Sequence, residues 1–188
     1  MEMGESGQMQ FIKSRAELSS PGTDWENSWR LARLSGLGPD HTSFLFRLLH
    51  QTLPTQERLH RTNNDVNPLC KAPGCTEVDD LAHSLVQCPA NQLVGTNLMQ
   101  LLRNHQPNLT PAAAIRLEFE VEEHLELPLV WVSAGTLLSI WEQRKLSSKV
   151  QPHITRSELE AKVNILRETR LVNTATLLDE MITSIFEH

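Results

Sequence analysis

Tyrosine is absent from this 188-residue sequence, and all aromatic residues together make up only 5% of it. That scarcity argues against a sandwich or barrel built on aromatic strands. Long apolar runs are missing as well. The uncharged, mostly apolar stretch Leu127 to Trp141 has fifteen residues and contains Pro128 and Gly135, short of the ~20 needed to span a bilayer. No membrane association is expected. No charged-then-apolar leader pattern opens the chain, so an intracellular compartment, nuclear or cytoplasmic and reducing, is the expectation. An excess of positive charge is also lacking. With 17 Lys and Arg against 23 Asp and Glu, the net charge is −6, which offers no global attraction for nucleic acid. Any such binding has to use a local patch. Hydrophobic content of 39% with 21% charged residues is ordinary for a soluble chain of one compact domain with an extension.

Cysteine is scarce, with three in all, and every one lies between Cys70 and Cys88 in the nineteen residues CKAPGCTEVDDLAHSLVQC. An odd count is a poor disulfide framework. The spacing C-x4-C-x7-H-x4-C supplies three thiolates, Cys70, Cys75 and Cys88, and the imidazole of His83. That is a complete tetrahedral shell for one Zn²⁺, and a closed one, structural rather than hydrolytic. Lys71-Ala72-Pro73-Gly74 reads as a turn that brings Cys70 and Cys75 onto one ion. A short helix is expected from near Asp79, carrying His83, with Cys88 just past its end and Leu81 and Leu85 packing inward. Cys–His nucleophilic catalysis is not expected, because each cysteine is committed to the metal.

Around this box the chain reads as all-α, a small irregular helical domain stapled by the zinc site, with long C-terminal helices. Residues 1–22 read as a polar lead-in that is expected to be disordered. Residues 23–104 form the helical zinc-binding domain, and 105–188 a helical extension with an acidic segment, a Trp-rich helix and a final long helix. Asp24 caps a helix with Trp25, Trp29, Ala32 and Arg33 at helical spacing. Asp40 caps a second, with Phe44, Leu45, Leu48 and Leu49 as its apolar set. Thr55 caps a third that runs to about Arg61. After Pro89, the buried set is Leu93, Leu98, Leu101 and Leu102. Glu118, Glu122 and Glu126 recur every four residues and read as a solvated acidic helix face. A long helix over about Pro128 to Lys149 places Trp131, Ala134, Leu138 and Trp141 on one side, and Arg144-Lys145 suits its C-terminus. Beyond Pro152, one final helix opens at Thr155 or Ser157. It runs through Glu160, Leu166, Leu171 and Leu178 to Ile185.

Phe46-Arg47-Leu48-Leu49-His50, then Leu53-Pro54-Thr55-Gln56-Glu57-Arg58-Leu59, then Cys70, Cys75, His83 and Cys88 form a recognisable succession. It resembles the zinc-binding (CCHC) domain found C-terminal to the polymerase in non-LTR (LINE-type) retrotransposon reverse transcriptases. Acidic residues ahead of the histidine, here Glu77, Asp79 and Asp80, fit that pattern. So do Val130-Trp131 and Ile140-Trp141-Glu142-Gln143-Arg144, which resemble the tryptophan–arginine helix that follows the box. The likeness covers roughly residues 25 to 150, most specifically 44 to 90. It implies an accessory module that grips template RNA or target DNA, partnered by the polymerase domain of the parent polyprotein. The polymerase itself is not expected, since its Tyr-x-Asp-Asp motif needs tyrosine. Some family members continue into a restriction-like nuclease with a Pro-Asp and an acidic-x-Lys element. Pro39-Asp40 and Glu160-Ala161-Lys162 match these in type, but they straddle the box in helical contexts, and no nuclease is expected. No catalysis and no small-molecule substrate are expected.

Two surfaces remain. Arg47, Arg58, Arg61 and Lys71 outnumber Glu57 and Asp65 between residues 44 and 71. They are the natural phosphate-facing patch beside the metal loop, with His50 and His60 as further donors. The second set, Arg144, Lys145, Lys149, Arg156, Lys162, Arg167 and Arg170, reads as solvated helix surface. The leading expectation is weak backbone binding of RNA or DNA in support of a reverse transcriptase. The alternative is a structural or protein-interaction module, an inert or domesticated retroelement fragment among its forms. There zinc holds the fold, and Trp131 and Trp141 dock on a polymerase domain or partner chain.

Overall fold

Residues 24–33, 38–146, 151–168 and 172–186 are described by the computed structural model. The lead-in expected over 1–22 lies outside them. The first helix begins as expected: the Asp24 carboxylate accepts from the Asn27 amide at 3.0 Å, and α1 runs Trp25–Ala32. The second, α2 (Pro39–Leu49), is capped by Gly38 rather than Asp40. Pro39 takes the first helical position, where its missing N–H has no acceptor to lose. Asp40 instead sits in the first turn, against the positive end of the helix. Thr55 accepts from the Arg58 amide at 3.2 Å and opens α3, Gln56–Thr62.

After a 3-10 turn at Pro89–Asn91, α4 runs Gln92–His105 and buries Val94, Leu98, Met99, Leu101 and Leu102. Leu93, expected in that set, is 56% exposed. A helix that turns Val94 and Leu98 inward carries Leu93 about 100° off that stripe. The acidic stretch is not one helix. A short α5 (Pro111–Ile115) ends before Leu117, whose φ is 56°, and the next helix starts only at Glu123. Glu118 pairs with Arg116, while Glu126 takes both ends of the Arg30 guanidinium of α1. Two of the three carboxylates are therefore in ion pairs instead of on a shared solvated face.

The long helix α6 spans Glu123–Leu146. Residues 128–137 are all buried, Ser133 and Thr136 among them, so this stretch is enclosed all round, as the mostly apolar middle of a core helix is. The one-sided stripe expected from Trp131 and Trp141 is thus only part of its buried surface. C-terminal to it, two helices stand where one was expected, α7 (Pro152–Glu168) and α8 (Val172–Phe186). They pack on each other and on α6. Pro152 begins α7 rather than merely preceding it. The side chains of Leu166 and Leu171 lie outside the described residues.

The main hydrophobic core extends from Trp25 to Ile185 and takes residues from both sides of position 104, with a second small cluster of Cys70, Ala72 and Cys88 at the metal loop. The expected division at 104/105 therefore does not mark a break in the packing: α4 lies against α8 and α6. The described fold is all-α. Its β element is one isolated antiparallel bridge, Leu69 to Val78, in the metal loop. No helix among the described residues is long and apolar enough to cross a membrane.

Candidate metal centre

The cysteine box folds in two halves. In the first, Cys70 donates its amide to the Glu77 carbonyl at 2.8 Å, and Asp79 donates to Pro68 at 2.9 Å. These bonds flank Leu69 and Val78, making them a non-hydrogen-bonded pair whose side chains stand close together. Between the two arms, Cys75 donates to Ala72 at 3.0 Å, closing a turn with Pro73 second and Gly74 third. Gly74 has a φ of 77°, the positive angle that this turn requires at that position. The sequence-predicted turn is thus present and folds Cys75 back towards Cys70.

The second half is helical, but not α-helical where it matters. Asp80 is the capping residue, its carboxylate accepting from the His83 amide at 2.8 Å. Helix begins at Leu81, and His83–Gln87 is a π turn closed by the Cys88 amide donating to the His83 carbonyl at 2.8 Å. Residues five apart on an α-helix point about 140° away from each other. A π turn bonds residue i+5 back to i, so it brings His83 and Cys88 to the same side. The H-x4-C spacing and the π turn are the same fact.

Four ligand atoms converge as a result. The three Sγ atoms and one His83 nitrogen all lie within 4.8 Å of one another. Cys70 and Cys88 sulfurs are 3.7 Å apart, and Cys75 Sγ is 3.3 Å from His83 Nε2. A tetrahedral ion with ~2.3 Å thiolate and ~2.0–2.1 Å imidazole bonds sets its ligand atoms roughly 3.5–3.8 Å apart. The arrangement fits a metal ion, and all four sequence-predicted ligands take part in it. Cys70, His83 and Cys88 are buried and Cys75 half-buried.

Around the ligands sits a polar layer that the sequence reading did not assign. The Ala72 amide donates to Cys70 Sγ at 3.4 Å. From α6, Arg144 Nη2 donates to the same sulfur at 3.6 Å and to Asp79 Oδ1 at 2.8 Å. Asp79 also accepts from Ser84 Oγ at 2.6 Å and, through Oδ2, from the Gln56 amide at the start of α3 at 3.1 Å. Burial works to raise both thiols. At Cys70 the Ala72 amide and Arg144 outweigh it and hold the thiol below its ordinary value, whereas at Cys88 burial prevails. Burial likewise works to lower Arg144, but the sulfurs and Asp79 more than offset it, and the guanidinium is held charged.

The predicted phosphate-facing residues are not gathered into one site. Arg58 and Arg61 line a cleft of about 210 Å³ with Glu57, Asp80 and Arg116. Arg47 lines a different hollow, beside Asp40 and Glu142. Lys71 is exposed on the metal-loop turn. Arg58 donates to the Gln51 carbonyl at 2.6 Å, and Arg61 pairs with Glu57. The two histidines differ in their surroundings. His50 is wedged against Trp29 and Phe46, with ring centroids 4.7 and 4.2 Å away, and both its nitrogens are buried without a partner. His60 holds the Val66 carbonyl at 2.6 Å. Trp131 and Trp141 are each only 8% exposed and belong to the chain's own core. Both rings pack mainly in that core, and Trp141 also lines the hollow that holds Arg47.

Arg144 is also corrected, from solvated surface to a side chain 12% exposed. Its position carried a signal. It lies four residues after Ile140 and seven after Leu137, both fully buried, which sets a cation on the core-facing stripe of α6. Of the other bases in that set, Lys145 pairs with Glu142 and Arg156 with Glu160. The side chains of Lys149, Lys162, Arg167 and Arg170 lie outside the described residues. No protein-family model, curated protein or solved structure matches the chain.

Proposed function

We propose that this chain is a non-catalytic zinc-binding accessory module of retrotransposon type. One Zn²⁺ staples the helical domain, and the arginines beside it contact the backbone of RNA or DNA in support of a reverse-transcriptase polymerase domain. The observation that carries the reading is the closed set of Cys70, Cys75, His83 and Cys88. Three soft thiolates and an imidazole suit zinc, and as a four-ligand set they would leave no coordination position for water or substrate. The nucleic-acid half is supported by the resemblance of residues 44 to 90 and by Arg58 and Arg61 sharing one cleft next to Asp80 of the metal loop.

Even with Arg47, in its separate hollow, counted alongside Arg58, Arg61 and Lys71, at most four phosphate contacts are available, so binding is weak and sequence-tolerant. Its log–log salt slope should be no steeper than about −3 to −4. Fluorescence anisotropy with structured RNA, single-stranded DNA and duplex DNA at two salt concentrations tests this. Reversing Arg58 and Arg61 to Glu should abolish binding while the zinc content and helicity stay unchanged. Equal inertness of wild type and the double reversal at low salt ends the nucleic-acid reading. A structural or protein-interaction module then takes its place. The net charge of −6 favours that second reading, as does the adjacent Leu69 and Val78 pair, 38% and 45% exposed on the metal loop.

A further inference from the structure

Two consecutive residues near the end of α6 reach into different parts of the molecule. Arg144 reaches the metal loop, at 2.8 Å from Asp79 and 3.6 Å from the Cys70 sulfur. Gln143, about 100° around the helix, reaches α7. Its Nε2 donates to Ser139 Oγ at 3.0 Å and to Thr155 Oγ1 at 2.9 Å, and its Oε1 accepts from the Gln151 amide at 2.6 Å. Ser139, Gln143 and Thr155 are all buried. One turn of one helix therefore holds the metal loop with one side chain and the start of α7 with the next.

Charge makes the first of these grips depend on the ion. Three thiolates and a neutral imidazole around a divalent cation carry a net charge of −1, and the Asp79 carboxylate adds another beside it. Arg144 contacts both anions. With the ion in place the guanidinium bridges two negative centres. Without the ion the Cys70 sulfur is no longer fixed beside the guanidinium, and Asp79 is the partner that stays. Taking Arg144 away from the loaded site leaves two buried like charges facing each other, which is costly.

We propose that Arg144 is an outer-sphere partner of the metal centre, and that through its neighbour Gln143 metal occupancy governs how firmly α7 docks on the end of α6. The proposal rests on the metal reading given above. Its partner is the chain's own C-terminal helical pair, so the zinc loop reports its loading state to a part of the molecule remote in sequence.

The full chain loaded with Co²⁺ as a spectroscopic probe provides the test. Arg144→Gln should weaken Co²⁺ binding by about 10–100-fold, the usual effect of losing an outer-shell partner. It should also move the thiolate-to-cobalt charge-transfer band to lower energy, because a sulfur relieved of a hydrogen bond gives up its electron more readily. A purely structural role would not shift that band. In wild type, loading should slow amide hydrogen exchange at residues 139–146 and 151–155, and in the variant this response should be lost. Arg144→Lys keeps the charge but not the fork, so it should fall between the two on each readout. It also carries the test if Arg144→Gln does not fold. Wild-type affinity and an unshifted band in both variants overturn the proposal while leaving the metal reading intact. Failure of wild type itself to bind Co²⁺ overturns the metal reading and the proposal with it.

Discussion

A Cβ placed on Gly95 would lie 2.4 Å from the carbonyl oxygen of Val86. The helix α4 thus packs backbone against backbone on the π turn that carries His83. Contact that close tolerates no side chain, and the obstacle is main chain, which cannot rotate away.

Gly95→Ala should therefore destabilise the zinc-saturated protein by about 1–3 kcal/mol, the usual range for overpacking a core. It should also weaken metal binding, because the displaced segment holds a ligand. Urea denaturation alongside Gly135→Ala makes the comparison. There the obstructing atom is the Cδ2 tip of Leu159, which can turn aside, so the loss should be smaller. Equal losses at the two glycines would count against the backbone contact.

Purified protein should carry one zinc ion, measurable by elemental analysis. Cys75→Ser or His83→Ala should lose it and loosen residues 44–104 by hydrogen exchange. Metal-binding energy in small closed sites is folding energy, on the order of 10 kcal/mol in zinc-finger peptides. Full helicity and an unchanged cooperative melt after chelation would exclude a structural ion.

Trp131→Ala and Trp141→Ala should each cost about 3–5 kcal/mol of stability, as truncations of large buried aromatics do. Both indoles belong to the core. A variant that melts like wild type yet loses a binding partner would return these residues to a docking role.

His50 supplies a pH dependence. Burial alone pushes its pKa below the ordinary 6.5, so the unfolded chain takes up its proton first as pH falls. The stability associated with the neutral ring is complete above about pH 6.5 and is lost as pH falls through the lower folded value. His50→Phe should flatten the stability-versus-pH curve between about pH 7 and 5, measured with zinc in excess at each pH. An identical slope in wild type and variant would show that the burial of His50 does not contribute.

What was legible in the sequence follows the distance over which each feature is encoded. The ligands were readable because all four fall within nineteen residues and their chemistry is unmistakable. The caps at Asp24 and Thr55 were readable because each needs only the next three residues. Asp79 and Arg144, sixty-five positions apart, were not joined, since nothing local links them. Glu126 looked solvated for the same reason: its partner, Arg30, lies ninety-six residues away. The basic patch was assembled by sequence proximity, and helix packing then put Arg47 and Arg58 in different hollows. Helical periodicity pointed correctly to an all-α chain, but could not say that α6 is enclosed on every side. A stripe reveals one neighbour, and α6 has several.

The compactness of the cysteine box also has a kinetic side. Its ligands are separated by four, seven and four residues, so closing the site requires only short loops, which are fast and inexpensive in entropy to form. Arg144 comes fifty-six residues after Cys88. At ~5–20 residues per second of synthesis, that is an interval of about 3–11 s. During it a nascent chain has the complete ligand set without its guanidinium. The ion can be captured by a knuckle that is still alone, and the rest of the protein then folds onto a site that already holds its charge.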